Sequence, residues 1–473
     1  GRTGDALQDA TLGDVIKSDS GDVDITTSDD ADIEGAVTIG NVTITGAAGG
    51  YLAVDPAGGG DFQDDITIGN IDIGGNHSEN MVQIGSSDAD LTGDLLIGDV
   101  DISNEDEAGD LNINFDAVDG NMTLGNVTLQ NDGTVNEGDV EIETAGDVVG
   151  DISVGTVIAG DDAEADEVQF EIVIGGSLDN LTFDDITINS TVAGEDVDVE
   201  VTDAISGTLT LNDVDLAGAS DVDIMAASIG QVDVASTWDI RDDGEVRIAA
   251  TDGAIGPVGG DDWDINFHND SSGDLLLEAD AGIGATTINS VDFIDNGAGI
   301  DGGIVINADT DPAGDGAMGA FEIQEYGDDT TGDMPNVAFN GNSSITAADG
   351  DTVDIAGDVE DGATFYATTG DDGDWGQFTI TSNFNGDIWA DDGIAGLSVS
   401  DHIGNNVDVS LRANEDGTDD EGSIGDIVAD SDGDGEGTIG GAGLPNTLFL
   451  DTVGAAGANA TARTVGAVSA SGE

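Results

Sequence analysis

At residues 65–75 the chain reads DITIGNIDIGG, two strand-like runs whose apolar alternation breaks in the middle. Ile66 and Ile68 share one face, Ile71 and Ile73 share another, and the step from Ile68 to Ile71 is three residues. A straight strand keeps its apolar side chains on even spacing, so an odd step sends the second pair outward unless the backbone turns. All four isoleucines enter one core only if the chain turns a corner at Gly69-Asn70. Glycine permits the backbone angles such a corner can demand, and asparagine tolerates the left-handed region better than most residues.

The same word recurs as AVTIGNVTI around Gly40, DLLIGDVDI around Gly98, NMTLGNVTL around Gly125 and DISVGTVI around Gly155. With Gly13 before and the looser copies at Asp184 and Asn212 after, the corners are spaced 27 to 30 residues apart. Gly230, Gly256 and Gly284 continue the series, and Gly319, Gly376, Gly404 and Gly425 echo it irregularly. A further strand-like run follows most corners, as in GDLNINFDA at 109–117 and GDVEIET at 138–144. A unit of about three short strands with no helical period cannot bury its apolar edge alone, so neighbouring units stack. The expectation is an all-β chain, a parallel β-solenoid (β-helix) with coils of about 28 residues. Its core holds Ile39, Val42, Ile44, Ile66, Ile68, Ile71, Ile73, Ile97, Val100 and Ile102. Three segments are expected: regular repeats over 1–310, a more irregular and acidic continuation over 311–439, and an apolar assembly or capping segment over 440–473.

Charge at first argues against order, because 102 Asp+Glu stand against 6 Lys+Arg, for a net −96, and such compositions usually mark disorder. The apolar residues nevertheless sit at period-2 positions inside a repeat, which a disordered chain does not need. The excess of carboxylates excludes nucleic acid as a partner, since phosphates require Lys and Arg, and it points to divalent cations. With no cysteine, disulfides and thiolate metal sites are excluded. No apolar run is long enough to span a membrane. The chain begins at Gly1 rather than Met, which suggests a processed product.

The sharpest metal candidate is DSDGDGEG, with Asp430, Asp432 and Asp434 at alternating positions, Gly435, and then Glu436. Alternating carboxylates before a glycine resemble the first half of an EF-hand calcium loop, which makes Ca²⁺ the candidate cofactor. The second half departs from that pattern, with Gly441 where a bidentate Glu would stand, so no EF-hand fold follows. Asp also recurs between core residues (VDI, VDV), and in stacked coils equivalent carboxylates about 5 Å apart repel by roughly 0.8 kcal/mol in water. Bound Ca²⁺ or high salt would relieve that repulsion, while a solvated acidic surface accounts for the same charge.

Nine N-x-S/T sequons, at Asn41, Asn76, Asn121, Asn126, Asn180, Asn189, Asn269, Asn342 and Asn459, are acceptors for glycans on a secreted chain. For catalysis little stands out. His77, His268 and His402 lie far apart in acidic or Asn-rich turns, and Arg241, Arg247 and Arg412 are the only interior cations. Trp238, Trp263, Trp375 and Trp389 could stack on sugars or pack into the core. The chain is therefore not expected to be an enzyme.

The Gly-Asn/Asp corner word, with Asn41, Asn70 and Asn126 at equivalent corners and no cysteine, resembles the repetitive acidic β-solenoid surface proteins of bacteria and archaea: surface-layer or filament subunits and adhesins. The likeness covers about residues 10–310. It implies hydrogen-bonded Asn ladders through Asn41, Asn70 and Asn126, from which Asp14 and Asp99 depart and which Thr156 breaks. It also implies an extracellular structural protein at the cell surface. The strand edges a solenoid leaves at its ends, and the segment 440–471 with Asp451 as its one acid, point to assembly with copies of itself end to end unless that segment folds back as a cap, and the charge points to stabilisation by Ca²⁺ or high salt. The alternatives are an adhesin that binds a glycan or another cell and, further off, a polysaccharide-degrading β-helix enzyme.

Overall fold

In the computed structural model all four isoleucines of residues 65–75 point inward, each at most 1 % exposed. The structure describes residues 8–18, 21–27, 31–45, 50–56, 60–75, 80–104, 109–131, 139–159, 169–189, 196–217, 220–241 and 244–260. It also describes 263–268, 274–294, 303–308, 317–326, 337–339, 343–347, 350, 352–367, 374–390, 393–404, 409–413, 423–429, 431, 439, 448–451, 464–465 and 468–470. Among these residues there is no helix; the chain is all-β, with parallel strands stacked as a β-solenoid. It divides into two compact units, Gly1–Gly230 and Gln231–Glu473.

In the first unit the coils up to Thr144 lay down three short strands each, and in the later coils strands run on through the corners. Ile66–Ile68 pairs in parallel with Val37–Ile39 on one side and Leu95–Ile97 on the other. After the corner, Ile71–Gly75 pairs with Val42–Ile44 and Val100–Asn104. A third strand, Asn80–Gly85, pairs with Gly50–Asp55 and Gly109–Phe115. The register sets like on like: Ile66 lies opposite Leu95, Ile68 opposite Ile97, and Ile71 opposite Val100. All ten expected core residues are buried. A further inward column, Ile33, Phe62, Leu91, Val118, Val148, Leu178 and Ile205, is joined only by single-residue bridges. The repeat word does not reveal it, because one apolar residue flanked by polar ones carries no period.

The odd step of three survives in the later copies, both where the glycine is kept at Gly155 and where it is replaced by Asp184. In Ile152–Ala159 and Leu181–Ile188 the strand runs continuously through the corner, yet two consecutive residues, Gly155-Thr156 and Asp184-Asp185, stay out of the core between inward pairs. The corner glycines of the regular copies do not need a left-handed backbone, contrary to the expectation from sequence, although the irregular echo Gly404 has one. Positive φ occurs instead at Gly85, Gly259, Gly282, Gly357, Gly362 and Gly404. Close approach is the reason: a Cβ on Gly69 would lie 2.6 Å from Asn41 Oδ1 and 2.9 Å from the Gly40 carbonyl carbon, and one on Gly125 would lie 2.7 Å from Asp99 Oδ1.

The second unit keeps parallel stacking with uneven coils. The step between paired residues is 35 from Thr286 to Phe321 and 19 from Phe378 to Leu397. Its core is more aromatic, with ring centroids 5.1 Å apart for Phe339–Phe365 and Phe365–Phe378 and 5.2 Å for Trp238–Trp263. Larger side chains fill a cross-section that coils of varying length leave irregular.

Candidate functional site: Asx ladders, acidic columns and edge strands

Because like residues stack, each outward position of the repeat becomes a column. At the corner, the backbone N–H of Asn41 donates to Asp14 Oδ1 at 3.0 Å, that of Asn70 to Asn41 Oδ1 at 3.0 Å, and that of Asp99 to Asn70 Oδ1 at 3.1 Å. The series continues from Asn126 to Asp99 and from Thr156 to Asn126, each at 3.0 Å. The ladder is thus made by backbone donors and side-chain acceptors. A carboxylate oxygen serves as well as an amide oxygen, so Asp14 and Asp99 are full members rather than departures. Thr156 still donates from its backbone, and its hydroxyl turns to Asp185 Oδ2 at 3.1 Å.

Two more ladders escaped the sequence reading. Just before the first strand of each coil, Asp94 donates to Asp65 Oδ1 (2.9 Å), Asn121 to Asp94 Oδ1 (2.8 Å) and Asp151 to Asn121 Oδ1 (3.0 Å), all from the backbone. Thr208 likewise donates to Asn180 Oδ1 at 2.7 Å. Beside the bridging column, Asp61 donates to Asp32 Oδ1 and Asp90 to Asp61 Oδ1, both at 3.1 Å. Their signal was an Asp or Asn at a fixed offset before each apolar run, hidden by the abundance of Asp. Sequon residues Asn41, Asn121, Asn126 and Asn180 all spend Oδ1 on these ladders, whereas Asn76, Asn269, Asn342 and Asn459 lie outside the described residues.

The strand faces carry acid. Asp72 lies opposite Asp101, and burial, then the Asp72 charge, raises the Asp101 carboxyl above its ordinary range. Farther along, Glu141 lies opposite Glu171, which lies opposite Asp198. Burial raises Glu141, and Glu143, Glu171 and Asp110 raise it further, although Asn112 Nδ2 donates to its Oε2 at 2.6 Å. Among the described residues no group of three or more His, Cys, Asp or Glu is placed to hold a metal ion. Asp430, Asp432, Asp434 and Glu436 lie outside the described residues.

Cations in the second unit are engaged. Arg247 meets Glu278 at 2.8 Å, and Arg412 lies over the Trp389 ring, 4.5 Å from its centroid. His268 sits at the end of the strand Asp264–His268, not in a turn, with Nε2 2.8 Å from Asp239 Oδ1. That bond, opposed by burial and helped by Asn266 and Arg241, holds Asp239 below its ordinary range. Trp238, Trp263 and Trp375 are core residues, whereas Trp389 stands half-buried on the outside, edge to face with Tyr366.

Edge strands differ from the flanks. Ala10–Leu12 and Val15–Lys17 pair only with Val37–Ile39 and Val42–Ile44, and each has no partner on its other side among the described residues. Leu448–Asp451 pairs with Val409–Ala413, and Thr464–Val465 and Val468–Ser469 pair with Ser423–Ala429, again on one side only. Parts of the apolar segment 440–473 therefore form coil strands in place. Among the described residues, three of the five exposed large apolar residues belong to these edges, Leu12, Ile16 at 71 % and Val468 at 47 %, and the other two, Leu96 and Val149, lie singly on the flanks.

Among the described residues no helix is long and apolar enough to cross a membrane. Comparison of the chain with protein-family profiles, curated proteins and solved structures gives no match.

Proposed function

We propose that this chain is a structural protein of the cell surface that joins to copies of itself end to end, terminal coil on terminal coil, in a medium of high salt or Ca²⁺. The observation that supports this reading is the contrast between flanks and edges. Flank columns stack carboxylates, among them Asp101 and Glu141, which burial and like-charged neighbours raise above their ordinary range, so side-by-side contact brings like charges together. Among the described residues the edge strands have no outer partner, and with exposed Leu12, Ile16 and Val468 they make a template for strand addition. Contact between two different ends is heterologous, and it grows as a filament where the repeated rotation does not close into a ring. Cations act by screening the flanks or by binding between neighbouring carboxylates. The chain is read as non-enzymatic.

Sedimentation of the purified chain tests this, in EDTA, in CaCl₂, and in NaCl of matched ionic strength. Growth of large species with concentration, suppressed by Ile16→Asp and Val468→Asp, supports the proposal. A monomer under all three conditions, or growth that ignores both substitutions, refutes it. Growth that follows ionic strength alone assigns the salt effect to screening rather than to bound Ca²⁺.

A further inference from the structure

Three outward features lie apart from the ladders and edge strands. The Tyr366–Trp389–Arg412 column is closed on itself, because Tyr366 and Arg412 flank the Trp389 ring from the strands on either side. Asp239 is satisfied by His268 and Asn266. The third feature, a groove of about 360 Å³ beside the strand Val258–Gly259, is open.

The groove exists because side chains are missing from one outward column. Asp233 lies opposite Gly259, Gly259 opposite Thr287, and Thr287 opposite Glu322. Gly259 has φ +144°, which disfavours any L side chain, and a Cβ there would lie 2.6 Å from the Thr287 carbonyl oxygen. Gly260 and the small residues Pro257 and Ala285 complete a shallow floor. Gln231, Thr287 and Gln324 bring polar groups to it, and none of their side chains makes a hydrogen bond within the described structure. Both glutamines are exposed.

No acidic or basic side chain lines the groove, in a chain with 102 Asp+Glu. A cation has no carboxylate to bind there, and an anion meets no counter-charge while Asp233 and Glu322 flank the column. What remains is an uncharged ligand rich in hydrogen-bonding groups. A glutamine amide offers a donor and an acceptor side by side, which suits vicinal hydroxyls, and Thr287 adds a hydroxyl. The pyrrolidine of Pro257 and the methyl of Ala285 offer an apolar floor for the C–H face of a pyranose. The volume falls at the small end of the range of roughly 300–1,000 Å³ typical of ligand sites. We propose that this groove binds a short segment of a neutral glycan, with Gln231, Gln324 and Thr287 as its hydrogen-bonding residues. This reading is independent of self-assembly.

Calorimetric titration of the full chain with cellohexaose, fully N-acetylated chitohexaose and maltohexaose, with trigalacturonate as the charged control, tests the proposal. At least one neutral hexaose is expected to bind saturably and trigalacturonate not to bind. Two variants, Gln231→Ala/Gln324→Ala and Ala285→Phe, alter exposed positions and should each weaken binding about tenfold or more with circular dichroism unchanged. The proposal is overturned if none of the three neutral sugars binds saturably, if trigalacturonate binds as tightly, or if both variants bind like the parent.

Discussion

Replacing Gly69 by Ala probes the packing of one coil on the next. The added methyl would sit 2.6 Å from Asn41 Oδ1, 2.9 Å from the Gly40 carbonyl carbon and 3.0 Å from the Asn41 nitrogen. Asn41 Oδ1 is also the acceptor for the Asn70 N–H at 3.0 Å, so relieving the first clash breaks a ladder bond. Losing that bond costs about 1 kcal/mol, and shifting packed backbone adds roughly 1–3 kcal/mol. Reduced freedom of the unfolded chain returns about 0.4–1 kcal/mol. The net expectation is a local destabilisation of about 2 kcal/mol, on the order of a 30-fold faster exchange of the Asn70 amide by the rule of tenfold per 1.4 kcal/mol. Hydrogen exchange suits the question because a repeat chain need not unfold in one step. Asn41→Ala in the same background removes the Oδ1 clash, so Gly69→Ala should cost less there by about 1 kcal/mol. Unchanged or slower exchange in Gly69→Ala would refute the close approach of the coils, since an unhindered alanine is expected to be neutral or stabilising.

Ile71→Asp buries an unpaired charge in the core of the first unit and should cost more than about 3 kcal/mol, read as a large drop in the melting temperature. Asp99→Asn keeps the Oδ1 acceptor and should melt at or above the parent, whereas Asp99→Ala loses the bond to the Asn126 N–H and should lose about 1 kcal/mol. Stability should also rise on mild acidification. Glu141 and Asp101 are raised in the folded state above their ordinary 4.5 and 3.8, so they bind protons more readily folded than unfolded. Lowering the pH from neutral through their raised values therefore adds stability, completed near the unfolded values; Asp239, which is lowered, withdraws stability as pH falls below 3.8. Thermal melts should show a maximum in the acidic range, and a midpoint that only falls from neutral pH downward would contradict the assignment.

The corner and its core were legible in the sequence because an odd apolar step in a period-2 pattern has one simple geometric solution. The reason for glycine was not. Single-sequence reasoning sees the backbone freedom of Gly69, while the neighbour that forbids a side chain, Asn41, is 28 positions away in sequence and adjacent only in the stack. The same distance hid the role of Asp99: a ladder built on backbone donors needs only an oxygen acceptor, which neither residue type reveals alone. The bridging column through Phe62 and Leu91 was missed for want of a period. The groove at Gly259 was illegible because it is defined by missing side chains between columns that uneven coil lengths in the second unit bring into register.

Disulfide trapping tests joining through the terminal coils most directly. The chain has no cysteine, so every disulfide formed must be an engineered one. Thr11→Cys and Ser469→Cys place one thiol on an exposed residue of each edge strand. Under oxidising conditions in high salt, the double variant should give a ladder of covalent trimers, tetramers and longer chains on a non-reducing gel, while either single variant stops at dimers. A double variant that stays monomeric, or that stops at dimers like the single variants, would contradict end-to-end assembly.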